Sequence, residues 1–394
     1  MYDVIVIGGG PTGSHVARRL AEKDCKVLVF ERKAEVGGKD CCTGIISQEC
    51  VNSFDIDSRV ILRELNTATL FSPSGNMLRL YRKEPQAAVI DRYAFDTSMA
   101  ERAKKAGAEY HFNSRITDIS VAGDRAIVNV SGKGKSHQVT AKAVVVASGF
   151  NPGFNERAGL GASKDYVVGT QAEVETPVLE EIEVYFGDMA PGFFAWLVPT
   201  ARGIARAGLL SRTESGARLK KWLRQLAEQS KIATADVKLS YGGIPLKPPA
   251  RTYGERMIAV GDAAGQVKPT TGGGIYFGLL AADIAAAILY QALADNDLSA
   301  KRLASYERAW RKKLGRELRI GYWARKLFER MSEKQIDRIF EIIKSSGIDE
   351  ALLKAKDISF DWHSRAITSL LKYQMITRTL KLIKLPFRSI SIDR

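Results

Sequence analysis

A glycine-rich turn near the N-terminus constrains this chain more than any other feature. Residues 2–7 (YDVIVI) are apolar with little alternation, the pattern of a parallel strand buried on both faces. Gly8-Gly9-Gly10-Pro11-Thr12-Gly13 follows as a turn, residues 14–23 read as a helix, and residues 25–31 read as a second buried strand. Strand, turn, helix and strand at this spacing form a βαβ unit. In such a GxGxxG turn, Gly8 makes the tight bend, Gly10 lets the backbone approach a pyrophosphate, and Gly13 lets the helix pack on the strand. Pro11 and Thr12 lie at the mouth of the helix, whose amides and partial positive charge suit phosphates. Glu31, with Arg32 beside it, ends the second strand. That is about twenty residues on, where a carboxylate can take the ribose hydroxyls of an adenosine. The bland reading is a solvated glutamate at a strand end, and the order of the surrounding elements weighs against it.

A second signal lies far downstream, in MIAVGDAAGQVKPTTGGGIYFGLLAA at residues 257–282. A strand ends in Gly261-Asp262, a turn of small residues follows, and Gly272-Gly273-Gly274 opens a long apolar helix at Ile275. Asp262 is suited to bond a ribityl hydroxyl, and the amides of residues 272–275 to face the anionic edge of a reduced isoalloxazine. A GxGxxG at the start paired with this late segment points to FAD rather than NAD.

The 394 residues suit two interleaved domains, and 45% hydrophobic with 26% charged residues is an ordinary globular balance. The four cysteines, Cys25, Cys41, Cys42 and Cys50, form no CxxC pair, and only four histidines are present, so no metal site is expected. The first residues read as a strand rather than a signal peptide, which implies a cytoplasmic protein with free thiols. The apolar stretch at 275–294 carries Asp283 and many small residues, and reads as a buried core helix rather than a membrane span.

The fold class implied is α/β in two domains: a Rossmann-like FAD-binding domain with a parallel sheet, an interleaved antiparallel-sheet substrate domain, and a helical C-terminal region. Residues 68–71 and 77–81 flank a Ser72-Pro73-Ser74-Gly75 turn and read as a hairpin. Residues 91–107 read as a helix, 116–121 and 126–130 as an antiparallel pair, and 143–147 (AVVVA) as another buried strand. The strand-rich middle, with one helix near 217–229, reads as a sheet roofing the cofactor. Residues 1–65, 88–165 and 243–297 are assigned to the FAD-binding domain, 66–87 and 166–242 to the substrate domain, and 298–394 to a basic helical region.

With both cofactor segments in place, the chain resembles the aromatic-hydroxylase-type flavoproteins, and within them the geranylgeranyl reductases. The resemblance covers about residues 2–340. VIDRYAFD at 89–96 resembles that family's arginine segment, which implies that Arg92 lies against the FAD phosphates and ribityl chain. Cys42 and Gly44, in KDCCTGI, match its Cys-x-Gly segment near the flavin, which makes Cys42 the candidate catalytic thiol. PGFFAWLVP at 191–199 is similar to its aromatic-x-Trp-x-Phe-Pro motif, with Phe194, Trp196 and Pro199 in place and Val198 where the family has phenylalanine. Alternation puts Phe194, Trp196 and Val198 on one face, and Tyr185, one strand earlier, is expected to extend the same wall of an apolar tunnel. The family's activity would be FAD-dependent saturation of isoprenoid double bonds, on a lipid-linked substrate. The superfamily's Asp-Gly pair is Ser148-Gly149 here, which leaves NAD(P)H and a ferredoxin-like carrier both open as electron donor.

Net charge is +15, and residues 301–394 hold 23 Lys/Arg against 11 Asp/Glu. No nucleic-acid motif accompanies this charge. Residues 306–330, with Trp310, Tyr322 and Trp323, and the stretch from Ile367 to Leu385 read as basic amphipathic helices suited to peripheral contact with an anionic membrane at its inner face. Helices packed on the protein with a solvated basic face are the alternative. The competing functions are an FAD-dependent monooxygenase or halogenase on the same fold, and a flavin-holding module without turnover.

Overall fold

The computed structural model describes residues 1–38, 41–132, 135–177, 179–354 and 359–371. The tail expected to touch a membrane lies outside the described residues beyond Leu371. Val4, Ile5 and Val6 are wholly buried because strands flank them on both sides. Tyr2–Ile7 pairs in parallel with Val27–Phe30 and with Lys135–Val146, Ile5 opposing Leu28 and Val144. Met257–Ala259 extends the same sheet in parallel, Ile258 opposite Val145. The chain therefore builds one Rossmann-like sheet from segments more than a hundred residues apart.

The first helix spans Pro11–Ala21, three residues earlier than the reading that kept the whole GxGxxG as a turn. Proline explains the difference: its fixed φ and missing N–H cost nothing at the first helical position. The next long helix, Arg92–Lys105, is capped by Asp91, whose carboxylate accepts from Ala94 N at 3.0 Å. Ile275–Ala294 is the one helix among the described residues long and apolar enough to cross a membrane. Its Leu279, Ala282, Ala285 and Leu289 are wholly buried within this unit's core, so one face of the helix is used inside the protein.

A second, seven-stranded sheet lies over the first unit. Its order runs Ser240–Pro245, Tyr166–Glu175, Ile204–Ser211, Ala195–Ala201, Ile182–Tyr185, Thr67–Phe71, Met77–Tyr81. All neighbours are antiparallel except Ile182–Tyr185 with Thr67–Phe71. Ser215–Glu228 buries Leu219, Trp222, Leu223 and Leu226 against the face of this sheet that carries Thr170 and Tyr185. Beyond these units runs the 29-residue helix Ala300–Phe328. Its Trp310 faces inward rather than toward a membrane: it is wholly buried and donates from Nε1 to Thr252 Oγ1 at 2.9 Å. Trp323 on the same helix is exposed.

Candidate functional site

The glycine turn is as tight as its sequence suggests. A Cβ on Gly13 would fall 2.1 Å from Gly8 O, so only hydrogen fits where helix meets strand. A Cβ on Gly10 would meet nothing within 4 Å, which leaves open space at the mouth of the first helix. Pro11 opens that helix. The Thr12 hydroxyl points toward Gly278 of the late helix, where a Cβ would lie 2.5 Å from Oγ1. Glu31 is held from below: Oε2 accepts from Gly9 N and Oε1 from Lys33 N, both at 2.9 Å. Each oxygen keeps a second lone pair for a ribose hydroxyl. Arg32 is exposed.

On the opposite rim, Arg92 forms a bidentate pair with Asp96 at 2.9 and 3.0 Å. Burial opposes the charge of Arg92, but Cys42 and Asp96 beside it hold the guanidinium above its ordinary value. Asp262 lies toward this arginine, and a Cβ on Gly274 would sit 2.7 Å from its Oδ1. Burial raises the Asp262 carboxyl above the usual range, and Arg92 works against that rise. Ser148 Oγ is buried beside the turn with no hydrogen-bond partner among the described residues. Open space at Gly10, the orphaned Ser148 hydroxyl, Glu31 bonded to the glycine turn, and Arg92 facing Asp262 together fit a flavin dinucleotide. Among the described residues no cluster of His, Cys, Asp and Glu fits a metal ion.

The loop carrying Cys42 is strapped to the roof sheet. Gln171 Nε2 donates to Cys42 O at 3.2 Å, and the Gln171 side-chain oxygen accepts from Thr43 Oγ1 at 2.9 Å. Arg206 donates to Thr43 O at 2.6 Å. Gly44 has φ +73°, and a Cβ there would lie 2.8 Å from both Arg206 Nη1 and Ile90 O. Cys42 Sγ accepts from Gly44 N at 3.4 Å. No sequence signal marks Gln171 or Arg206, since both act on a loop more than 120 residues away.

Strand register sorts the proposed tunnel wall. Val184, Trp196, Gly208 and Gln171 oppose one another across four strands, so Trp196 shares its face with the Cys42 loop. Trp196 fills the space where Gly208 lacks a side chain, and a Cβ there would fall 2.4 Å from Cζ2. The indole Nε1 is buried and unpaired among the described residues. Phe194 precedes the strand rather than belonging to it, but its ring lies 5.9 Å from that of Trp196. Val198 opposes Arg206 on the same face. Two residues do not join them. Tyr185 opposes Ala195 and so projects from the other face, packing on Phe71 and Trp222 with its hydroxyl bonded to Glu183 and Lys231. Pro199 opposes Ala205 and alternates away from Val198.

A Rossmann-like unit whose glycine turn and acidic strand end suit a dinucleotide, with a largely antiparallel second sheet that holds a cysteine loop, defines a flavoprotein oxidoreductase. Comparison with known proteins narrows the class. A family model described as lycopene cyclase protein matches residues 3–354. Digeranylgeranylglycerophospholipid reductase 2 of Methanopyrus kandleri is 32% identical over 365 residues, 88% of this chain and 91% of its own. The crystal structure of a geranylgeranyl bacteriochlorophyll reductase-like protein from Thermoplasma acidophilum superimposes with TM-score 0.85 at 25% identity, covering 97% of this chain and 99% of that one. The halogenase PltM, solved with FAD, shares the fold alone, at 15% identity and TM-score 0.67 over 97% of this chain and 94% of its own. The chain belongs to the geranylgeranyl reductase family of FAD-dependent oxidoreductases acting on CH–CH groups.

Proposed function

We propose that this protein saturates the C=C bonds of geranylgeranyl chains carried on a glycerophospholipid, the substrate class that its archaeal relatives are named for. The observation that carries this reading is the apolar wall of Trp196, Phe194 and Val198 beside the Cys42 loop. Gly8, Gly10, Pro11, Thr12, Gly13, Glu31, Arg32, Arg92, Gly261, Asp262 and the amides of residues 272–275 are assigned to FAD, and Cys42 and Gly44 to its ring. Bound FAD, once reduced, supplies the hydride that an alkene carbon accepts.

The protein's own residues do the rest. An isolated alkene accepts hydride poorly unless a proton reaches one carbon while positive charge develops on the carbon that takes the hydride. Trp196 and Phe194 offer ring faces that stabilise such charge, and exclude water while doing so. Cys42 Sγ is assigned to hold or relay the proton. Gln171 and Arg206 position that thiol by fixing the carbonyls of Cys42 and Thr43. The electron donor belongs to the same proposal: NAD(P)H or a small acidic carrier, the latter suited to the basic surface. So do a cytoplasmic location and peripheral contact with an anionic membrane through the basic C-terminal region.

The test is anaerobic incubation of the purified protein with dithionite and geranylgeranylated glycerophospholipid, followed by mass spectrometry. Products heavier by two hydrogens per step are expected. Unchanged lipid with bleached FAD, together with oxygen consumption on NADPH addition, would move the assignment to an oxygen-using enzyme of the same fold.

A further inference from the structure

The loop that opens the late helix is fastened from outside the cofactor cleft. Its backbone closes on Lys268 at both ends: Gly272 N donates to Lys268 O at 2.8 Å, and Lys268 N to Gly273 O at 3.1 Å. The Lys268 side chain folds back beneath the loop, so that a Cβ on Gly273 would lie 2.8 Å from Cε and 3.3 Å from Nζ. That ammonium is 6% exposed and meets Asp361 Oδ1 at 2.5 Å, Asp361 being 2% exposed. It also reaches Phe360 O at 3.4 Å and lies 4.9 Å from the Phe360 ring. Asp361 Oδ2 is buried with no hydrogen-bond partner among the described residues.

The residues around Asp361 are a short strap laid against the loop. His363 Nδ1 lies 2.6 Å from Thr270 Oγ1, and the amides of His363 and Ser364 donate to Glu317 on the long helix. Trp362 Nε1 donates to Glu49 at 3.1 Å. Arg325 donates to Pro269 O and Thr270 O from the far side. A buried ion pair with one carboxylate oxygen unsatisfied is a poor stabilising device, since desolvation costs about as much as the attraction returns. The pair therefore calls for a role other than stability.

We propose that Lys268 is a positioning residue for the flavin: held by Asp361, it fixes the glycine loop and keeps a cation behind the amides of Gly272–Ile275, favouring the anionic reduced ring over the neutral oxidised one. This rests on the assignment of that loop to the flavin. The physical basis is short range and low dielectric, where a fixed cation acts on a developing anion far more strongly than in water.

The experiment is a spectroelectrochemical measurement of the bound flavin's midpoint potential in the holoprotein. K268M is expected to bind reduced flavin at least about tenfold less favourably relative to oxidised, a fall of about 30 mV for the two-electron couple. K268R is expected to recover most of that fall. The double variant K268M/D361L replaces the pair by apolar groups, which the cost of burying ions predicts to keep or raise the melting temperature. It is expected to show a smaller fall in the same direction, because the charge of Asp361 leaves with the nearer cation, and it carries the test if the single variant does not fold. An unchanged potential in a folded, FAD-loaded variant overturns the proposal while leaving the FAD assignment standing. Failure of the wild-type protein to bind FAD overturns both.

Discussion

Trp196 and Gly208 compete for one volume, and only a hydrogen at residue 208 leaves it to the indole. The two oppose each other on neighbouring strands of the roof, so the position of the ring is set by a residue with no side chain. G208A forces the indole out. Overpacking of this kind costs about 1–3 kcal/mol. Thermal melts should show that loss, and kcat/KM on geranylgeranyl lipid should fall further than stability alone explains, because the displaced ring enters the space beside the Cys42 loop.

Arg92 and Asp96 form a largely buried pair at helical i, i+4 spacing. Removing one partner strands the other, at a cost of about 3–5 kcal/mol. D96A is therefore expected to be strongly destabilised in urea titrations. R92M is expected to lose at least tenfold in FAD affinity, read by flavin fluorescence, because it removes the cation facing Asp262 as well as the pair.

His363 carries a pH dependence. Burial, and then the nearby Lys268, push its imidazole down to about 4, with Phe360 O and Asp361 opposing that fall. The unfolded chain takes up a proton near pH 6.5 that the folded chain refuses until about pH 4. Stability from this group is thus complete above pH 6.5 and is lost as pH falls toward 4, by at most about 3 kcal/mol. Denaturation curves between pH 7 and 4 should slope in that sense, and H363Q should flatten them.

Asp165 works in a lower window. Burial opposes its ionisation, but Lys326, Tyr322 and Arg212 bonded to it hold the carboxyl down to about 2. Its contribution is present above the ordinary carboxylate range and lost as pH falls through about 2. The cluster joins the long basic helix to the roof sheet and is partly exposed, so D165A should cost only about 1 kcal/mol. That cost should shrink in high salt, measured by melts at two ionic strengths.

What was legible in the sequence was local. Glycines 8, 10 and 13 between an apolar run and a helix dictate their turn from within a dozen residues. The buried face of the helix at residues 275–294 follows from its many small side chains. Register was not legible: Tyr185 is aromatic and one strand from Trp196, yet its pairing with Ala195 turns it to the other face. Trp310 looked like an interfacial anchor until Thr252, 58 residues away in the chain, supplied its acceptor. Gln171, Arg206 and Lys268 are ordinary polar residues in the sequence, and tertiary pairing alone brings them to the site.

The interleaving of the first sheet has a consequence for how the protein is made. The strand at residues 2–7 is made before one parallel neighbour, at residues 135–146, and before the strand at 257–259 that pairs with that neighbour in turn. Thr12 meets Gly278 only when the late helix has formed. Contacts of such separation form slowly, because a long loop must close before any of them is made. The nascent chain therefore carries its glycine turn unfinished until the late helix is made, and a cofactor that needs both segments is captured only after Gly278 has been added.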